Sequence, residues 1–542
     1  MASSEPDLRG AAAALGDDES LRLLTQLVAS APTNLEDPSH AQWEKPNYLR
    51  TADIIVRAAR AAGLATRVYD PVVAGDVPGQ WHHANRPNVI VDLDVGAPET
   101  VLILAHYDVV PVPAEQIPRW RTPPHTLTLR PDGRLYGRGA ADDLGSGVVA
   151  SLLAMRRLAN GTPPSPRNVR LVAACDEETG GEGGIEAIKA HDGDRAPDDP
   201  ERILRADAAL IPDGSPETTA GSSGVAFLDA SFTGPVALKD ALAYGTALVG
   251  LHEVARTWKS QYRSPDWPDR HAPEPVITGR ATVTRFDFVG PTADPAHIRL
   301  LAAHSENDAA NQIARAVSWV VAGPDAEVET LRARLSALVP APFRLENSGP
   351  TALDVPSGAH LLQLVGESAH GGYPHRGHNP VPLTFQILRA ALDRGWLDGR
   401  TTGTATFAVD LRFIPEMELE DGLAAALTYV RSWAGAHHPS ARIDAPPARC
   451  RAGYALPIDH PLAVKLERIL RDTLGAEGIR GEYGGTDASA LRDLRTPKNE
   501  PLPALVFGCM DPESHIHEAE ESADPRKVAG VAATIERFVR EP

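Results

Sequence analysis

Short apolar runs alternate along the chain with longer stretches in which apolar residues recur at helical spacing. The apolar runs predict strands over residues 88–95, 101–105, 168–175, 208–211 and 503–508. The stretches with helical spacing predict helices over residues 19–30, 47–63, 145–159, 460–474 and 524–539. This alternation is typical of βαβ units, so we expect an α/β fold with a mixed, mostly parallel sheet flanked by helices.

The pattern changes between 217 and 445, where Gly, Pro and Thr punctuate shorter strand-like segments. Two of these segments, ATVTRFDF (281–288) and ATFAVDLRF (405–413), each follow a Thr-Gly pair, a faint hint of an internal repeat. Later residues return to the first pattern. We therefore predict one α/β domain in two parts, 1–216 and 446–542, interrupted by a large inserted α+β domain.

Composition narrows the class of protein. A length of 542 residues predicts two or more domains, and 42% hydrophobic residues are typical of a globular protein. The formal net charge of −19 disfavours nucleic acid and anionic membranes as partners. The three cysteines (Cys175, Cys450 and Cys509) predict reduced thiols and no disulfide framework. The N-terminal residues resemble no signal peptide, and no run approaches a membrane span, so we expect a cytoplasmic protein.

Polar side chains follow the predicted strands at the points where the strands end. The run VLILA leads into His106 and Asp108. The other clusters are Asp142 and Asp143 in a glycine-rich turn, Asp176, Glu177 and Glu178 after RLVAAC, Asp213 after AALI, and His515 and His517 near the C-terminus. Because the carboxyl ends of parallel strands meet at one crevice, we expect these side chains to converge. Carboxylates packed together need a cation, and imidazole and carboxylate ligands suit zinc.

The order of these clusters resembles the M20 family of co-catalytic zinc peptidases and amidohydrolases, which includes dipeptidases, carnosinases, acylases and acetylornithine deacetylases. The resemblance covers most of the chain and rests on HYDVVPV (106–112), LYGRGAADD (135–143), DEETGG (176–181), PDG (212–214), GESAHGGYPHRGHNP (366–380), GGTDASAL (484–491) and the cluster around His517. It implies a zinc-peptidase catalytic domain interrupted by a lid domain.

The resemblance also implies a set of metal ligands. His106 and Asp213 would hold one zinc ion, Glu178 and His517 would hold the other, and Asp142 would bridge the two. We therefore expect two Zn²⁺ per chain, with Co²⁺ or Mn²⁺ as replacements.

Two neighbours of these ligands receive roles in the same way. Asp108 would orient His106 from outside the metal's ligand set. Glu177 matches the general base, which takes a proton from the attacking water and later gives it to the leaving amine.

His515 is the alternative to His517 as the terminal ligand. The family's ligand histidine usually has a glutamate four residues later, which favours His517 because Glu521 follows it, whereas Ala519 follows His515. The sequence departs from the family at Leu144, where lysine is common. This position is not a ligand, so we expect altered packing or loop electrostatics and retained activity.

Further residues resemble the family's substrate contacts. His370 matches the lid histidine that stabilises the oxyanion of the tetrahedral intermediate. Arg412 matches an arginine that grips a substrate carboxylate, and Gly484, Gly485 and Thr486 would let the backbone approach the substrate. These residues are predicted to bind substrate.

The long segment between Asp213 and His370 resembles the enlarged lid of bacterial monomeric dipeptidases, in which a doubled lid supplies the histidine within one chain. A monomer is therefore favoured. The alternative is a homodimer in which each lid serves the partner's active site.

Three functions are compatible with the residues. The leading hypothesis is a dizinc exopeptidase that cleaves dipeptides or short peptides. The second is an N-acyl amino acid deacylase of the acetylornithine deacetylase or succinyl-diaminopimelate desuccinylase type, with the same metals and a different pocket. The third is a catalytically inactive metal-binding scaffold, which the presence of Glu177 beside five candidate ligands argues against.

Overall fold

The computed structural model describes residues 9–33, 39, 48–75, 85–114, 116–265, 275–290, 297–307 and 311–542. The α-helices of these residues are α1 (Arg9–Leu15), α2 (Asp18–Ser30), α3 (Tyr48–Ala61), α4 (Pro71–Ala74), α5 (Ala150–Asn160), α6 (Ile185–Asp192), α7 (Leu238–Ala255), α8 (Asp325–Ser336), α9 (Pro380–Asp393), α10 (Leu419–His437), α11 (Pro461–Leu474), α12 (Ala488–Leu491) and α13 (Pro525–Arg540).

The strands are β1 (Ala65–Tyr69), β2 (Asn88–Leu93), β3 (Thr100–His106), β4 (Thr128–Leu129), β5 (Leu135–Tyr136), β6 (Asn168–Ala174), β7 (Ala208–Ile211), β8 (Thr218–Ser222), β9 (Val225–Phe232), β10 (Val236–Ala237), β11 (Lys259–Arg263), β12 (Val276–Thr278), β13 (Arg280–Val289), β14 (Arg299–Glu306), β15 (Ala316–Ala322), β16 (Arg344–Glu346), β17 (Ala359–Val365), β18 (Thr402–Arg412), β19 (Ala441–Asp444), β20 (Cys450–Arg451), β21 (Tyr454–Ala455), β22 (Ile479–Glu482), β23 (Ala504–Val506) and β24 (Ser522–Ala523).

Two compact units make up the chain. The first comprises Met1–Ala220, Leu456–Arg480 and Thr486–Pro542, and the second comprises Gly221–Ala455 and Gly481–Gly485. Each predicted strand and helix of the first unit corresponds to an observed element. The predicted helix over 47–63 is α3, and its first predicted residue, Asn47, lies outside the described residues.

The first unit is built on a mixed sheet whose centre is parallel. Its strands lie in the order β1-β2-β6-β3-β7-β23-β8. The four central strands β6, β3, β7 and β23 run parallel to one another, whereas β1, β2 and β8 pair antiparallel with their neighbours. All seven residues of β3 are buried, as expected for a strand covered on both faces. Around this sheet, α5 packs against α13, and α2 packs against α3.

The helix predicted over 145–159 begins differently from the prediction. Residues Asp142–Val149 form a π-helical segment, and α5 continues from it. A Cβ atom at Gly145 would lie 2.1 Å from the carbonyl oxygen of Ala140, so this wide turn requires glycine there. Leu144 is fully buried in the same segment, so the residue that replaces the common lysine packs into the protein core.

The second unit contains an antiparallel sheet with the strand order β16-β17-β15-β14-β13-β18-β9-β19. Helices α7 and α9 pack against this sheet and against each other. Aromatic side chains, including those of Phe286, Phe385 and Phe407, form its core. The two segments that follow Thr-Gly pairs lie in β13 and β18, which are antiparallel neighbours, and the internal repeat itself stays a prediction.

Among the described helices, none combines the length and apolar composition that crossing a bilayer requires. Cys175, Cys450 and Cys509 are free thiols.

Candidate metal centre

Four neighbouring strands of the first unit deliver four of the five predicted ligands to one edge of the sheet. His106 is the last residue of β3, Glu178 follows β6, Asp213 follows β7, and His517 lies in the long loop after β23. Because these strands are parallel neighbours, their carboxyl ends meet at the same edge.

Side chains from these strand ends lie within contact distance of one another. Nε2 of His106 is 3.5 Å from Oδ2 of Asp213, and Nε2 of His517 is 2.9 Å from Oε1 of Glu178. Ligand atoms of His106, Glu178 and Asp143 all lie within 4.8 Å of one another. The residues predicted for the two metal positions therefore form one contiguous cluster.

Asp142 and Asp143 both enter this cluster. Ligand atoms of Asp142, Asp143 and His517 lie within 4.8 Å of one another, and Oδ1 of Asp143 is 3.5 Å from Nε2 of His106. The sequence predicted that Asp143 would lie with the other carboxylates but did not assign it a ligand role. The π-helical segment begins at Asp142, and such segments are frequent at functional sites.

Asp108 contacts more than the imidazole it was predicted to orient. Nδ1 of His106 lies 3.0 Å from the backbone carbonyl oxygen of Asp108 and 3.5 Å from its carboxylate. That carboxylate accepts the backbone N–H groups of Glu177 and Glu178, each at 3.1 Å. Asp108 thus holds the turn after β6 and, at the same time, leaves Nε2 of His106 facing the acidic cluster.

A second buried carboxylate supports this turn from another direction. Asp176 has a left-handed backbone conformation, with φ 61°, directly before Glu177. Its carboxylate accepts a hydrogen bond from the hydroxyl of Tyr48 at 2.9 Å and forms an ion pair with Arg86 at 2.5 Å. These partners hold a strained residue in place next to the predicted general base.

The electrostatics of the cluster favour a bound cation. Burial lowers the pKa of His106, but the carboxylates of Asp143, Asp108 and Asp213 outweigh burial and raise that pKa well above its usual range. Burial together with neighbouring acids raises the pKa of Asp142. Oδ1 of Asp142 is buried and has no hydrogen-bond partner among the described residues. An oxygen and nitrogen donor set with one orphaned buried carboxylate oxygen fits divalent metal ions such as zinc.

Glu177 differs from its neighbour in electrostatic environment. Burial and the carboxylate of Asp487 raise the pKa of Glu177 well above its usual range. Burial also acts on Glu178, but His517 outweighs it and lowers the pKa of Glu178. Asp487 directly precedes the short helix α12 and was not singled out from the sequence. Two adjacent glutamates therefore have opposite tendencies to hold a proton.

The terminal histidine that joins the cluster is His517. Glu521 is the glutamate that favoured His517 over His515 in the sequence. Its carboxylate forms an ion pair with Arg138 at 2.6 Å. Arg138 in turn donates to the backbone carbonyl of His517 at 3.4 Å.

In the second unit, His370 follows β17 in a glycine-rich turn. The backbone N–H of Gly372 donates a hydrogen bond to Nδ1 of His370 at 3.1 Å. A neutral imidazole that accepts at Nδ1 carries its proton on Nε2, so this geometry makes Nε2–H the donor of His370. The predicted oxyanion donor stays a prediction.

Arg412 is committed to partners within the second unit. Its guanidinium contacts both carboxylate oxygens of Asp410, at 2.6 and 2.8 Å, and donates to the carbonyl of Tyr483 at 3.4 Å. Both side chains of the pair are buried. These contacts give Arg412 a structural role next to the 481–485 loop, and its predicted grip on a substrate carboxylate stays a prediction.

The glycine loop is divided between the two units. Gly484 and Gly485 belong to the second unit and Thr486 belongs to the first. A Cβ atom at Gly485 would meet no described atom within 4 Å, so packing within the chain does not demand a glycine there. The hydroxyl of Thr486 is buried without a hydrogen-bond partner among the described residues.

A comparison with known families identifies the chain. The family model described as peptidase family M20/M25/M40 matches residues 102–541. The chain belongs to this family. Family membership makes it a metal-dependent hydrolase, as the sequence resemblance predicted.

Curated proteins similar to segments of this chain include a metallodipeptidase and a desuccinylase. A Cys-Gly metallodipeptidase of Schizosaccharomyces pombe is 33% identical over 147 residues, which are 26% of this chain and 28% of the relative. A succinyl-diaminopimelate desuccinylase of Buchnera aphidicola is 37% identical over 93 residues, which are 17% of this chain and 24% of the relative. The matched segments thus span about a quarter of the length of these relatives.

The M20/M25/M40 fold is also found in a solved structure of the dipeptidase Dug1p from Saccharomyces cerevisiae. The two chains superpose with a TM-score of 0.53 at 13% identity, over 99% of this chain and 98% of the other. This likeness confirms the predicted fold class.

Proposed function

We propose that the chain is a dizinc exopeptidase that hydrolyses the amide bond of dipeptides or short peptides. The observation that carries the proposal is the clustering of His106, Asp142, Glu178 and His517 at one sheet edge, with the raised pKa of Glu177 beside them. A scaffold that merely binds metal has no need of a protonatable glutamate at that position.

The predicted ligands would occupy two metal positions. His106 and Asp213 would hold one ion, Glu178 and His517 would hold the other, and Asp142, with its unpaired buried oxygen, would bridge them. When bound, the metal pair polarises the scissile carbonyl and lowers the pKa of water.

Glu177 performs the proton transfers. As a carboxylate it accepts a proton from the water that attacks the scissile carbonyl, and as an acid it donates that proton to the leaving nitrogen. The hydrogen bonds from the turn to Asp108 fix the backbone of Glu177 and Glu178 together, so the base keeps a constant position relative to a ligand. Nε2–H of His370 would donate to the oxyanion that forms on the carbonyl oxygen.

The alternative function is hydrolysis of an N-acyl amino acid. The matched desuccinylase segment favours it, because that relative is named for removal of a succinyl group. The same ligands and the same base serve both reactions, so the substrate pocket alone separates them. We further propose a cytoplasmic enzyme that takes a small peptide or an N-acyl amino acid as its partner.

The deciding experiment is an activity screen of the zinc-loaded protein on dipeptides, N-acetyl amino acids and N-succinyl amino acids. Glu177→Gln is the companion variant, because its amide cannot accept the proton from water. It should keep both metals and lose several orders of magnitude in kcat. Near-native turnover by this variant would rule out Glu177 as the base, and turnover of the acyl substrates alone would favour the deacylase.

A further inference from the structure

The loop that carries His517 adopts a costly backbone conformation. His515, His517 and Glu520 have φ angles of 49°, 63° and 70°. The left-handed region is unfavourable for a residue with a Cβ atom, because the Cβ atom lies too close to the following carbonyl oxygen. Three such residues in one loop persist where surrounding contacts hold the loop. Contacts from outside the loop must therefore offset this cost.

The hairpin formed by β4 and β5 and the turn that follows it provide such contacts through Arg130, Arg134 and Arg138, which we call the arginine clamp. Arg130 contacts both carboxylate oxygens of Glu520, and Arg134 contacts both oxygens of Asp511, at 3.1 and 3.0 Å. A guanidinium that binds both oxygens fixes a carboxylate in position and orientation. The clamp therefore holds the loop near its beginning and near its end.

The third arginine reaches the ligand residue itself. Arg138 and its partner Glu521 are fully buried, with 0% and 1% of their side chains exposed. The carbonyl of His517 accepts hydrogen bonds from Arg138 at 3.4 Å and from Gln116 at 3.2 Å. Arg138 also lies in the turn that leads to Asp142, so the segment that ends in one predicted ligand holds the backbone of another.

We propose that the arginine clamp consists of positioning residues that place the imidazole of His517 against Glu178 before a metal arrives. The proposal rests on the proposed function, because it concerns one half of the metal centre. A ligand held in place in the metal-free protein binds metal without first ordering its loop, so the clamp strengthens binding at this half of the centre.

The test is Arg130→Gln combined with Arg134→Gln, which leaves the buried Arg138 untouched. Arg167→Gln is the matched control, since Arg167 forms a comparable ion pair with Glu99 at 2.9 Å and donates to the carbonyl of Val539 at 2.7 Å. Hydrogen–deuterium exchange of residues 511–521 is measured on metal-free protein. Zinc affinities are measured by competition with a chromophoric chelator.

In the double variant the loop should exchange faster, and one of the two zinc ions should bind about 10–100-fold less tightly, while the affinity for the other is unchanged. The control should alter neither readout. Arg134→Lys should recover part of the affinity, because it keeps a charged donor opposite Asp511. If the double variant does not fold, Glu520→Gln replaces it, because it weakens the same contact from the loop side.

The proposal would be overturned if the double variant bound zinc as tightly as the control does, whether or not its loop exchanges faster. The wild-type protein separates this failure from failure of the proposed function. Fewer than two zinc ions on the wild type would contradict the dizinc centre. In that case, the clamp would still be contradicted if hydrogen–deuterium exchange of the loop were the same in the double variant as in the wild type.

Discussion

Nε2 of His517 lies 2.9 Å from Oε1 of Glu178. Glu178 follows β6 and His517 follows β23, so the contact joins segments far apart in the chain. Burial lowers the pKa of His517, but Glu178 outweighs burial and raises it to about 10. In the metal-free protein the two side chains therefore form an ion pair near neutral pH, at the position where a shared metal ion would lie between them.

Glu178→Gln should weaken one metal and leave the other in place. The amide keeps the shape of the side chain but loses the negative charge that a cation requires. We expect one zinc ion per chain after dialysis, measured by metal analysis. Glu177→Gln, which alters the adjacent residue, is the control and should retain two. Equal loss of metal in both variants would contradict the division of roles.

Asp142→Asn should lose more metal than any other single ligand variant, because a bridging carboxylate serves both ions. Less than one zinc per chain is expected after reconstitution. Asp143→Asn is the matched neighbour and should keep two ions with affinity reduced about tenfold, since Asp143 contacts His106 at 3.5 Å. If Asp142→Asn retained two tightly bound zinc ions, Asp142 would not be the carboxylate that bridges them.

Asp108→Asn should reduce kcat at least tenfold with a small change in thermal stability. The carboxylate accepts two backbone N–H groups, one at each oxygen, and an amide has a single acceptor oxygen for them. The turn that carries Glu177 should therefore lose one of its two contacts. Steady-state kinetics and a melting curve test this. Unchanged kcat would show that other contacts suffice to fix the turn.

His370→Ala should cost roughly 10²–10³ in kcat without changing metal content. Mixing this variant with Glu177→Gln, under conditions that allow subunits to exchange, tests whether the histidine serves its own chain. If each active site is formed by a single chain, every site in the mixture carries one of the two inactivating substitutions. We therefore expect the mixture to stay inactive. Recovered activity would instead indicate a dimer with shared sites.

Asp511 should make stability depend on pH in the acid range. Burial raises the pKa of its carboxyl, but hydrogen bonds from Arg134 and Lys527 outweigh burial and hold that pKa at about 2. A folded-state pKa below the unfolded value stabilises the fold above about pH 4, and this contribution disappears as the pH falls to about 2. Near pH 7 the free energy of unfolding of Asp511→Asn should therefore be about 1–2 kcal/mol lower than that of the wild type, and its melting temperature should be lower as well. The gap should shrink below pH 4, and a constant gap would contradict the assignment.

The convergence of the ligands could be predicted from the sequence because it follows from strand polarity. His106, Glu178 and Asp213 each come at or after the end of an apolar run, and parallel strands bring such ends together. The contact of Asp143 with the imidazole of His106 could not be predicted, because the π-helical segment that sets its position leaves no mark in a helical apolar pattern.

Contacts between side chains were harder to predict than positions along strands. Asp108 was expected to orient His106, and the nearer contact comes from its backbone carbonyl oxygen, because its carboxylate binds the turn after β6. The pair formed by Asp410 and Arg412 did have a signal: residues two apart on one strand point to the same face.

The discontinuous first unit dictates an order of assembly during synthesis. A ribosome releases Met1–Ala220 first, then the whole of Gly221–Ala455, and only afterwards the segment with β23. Until that strand emerges, β7 lacks one of its parallel neighbours, and the edge of the sheet stays open to other chains. A chain that stops before β23 therefore exposes an unpaired strand and lacks His517, one of the ligands of the proposed metal centre.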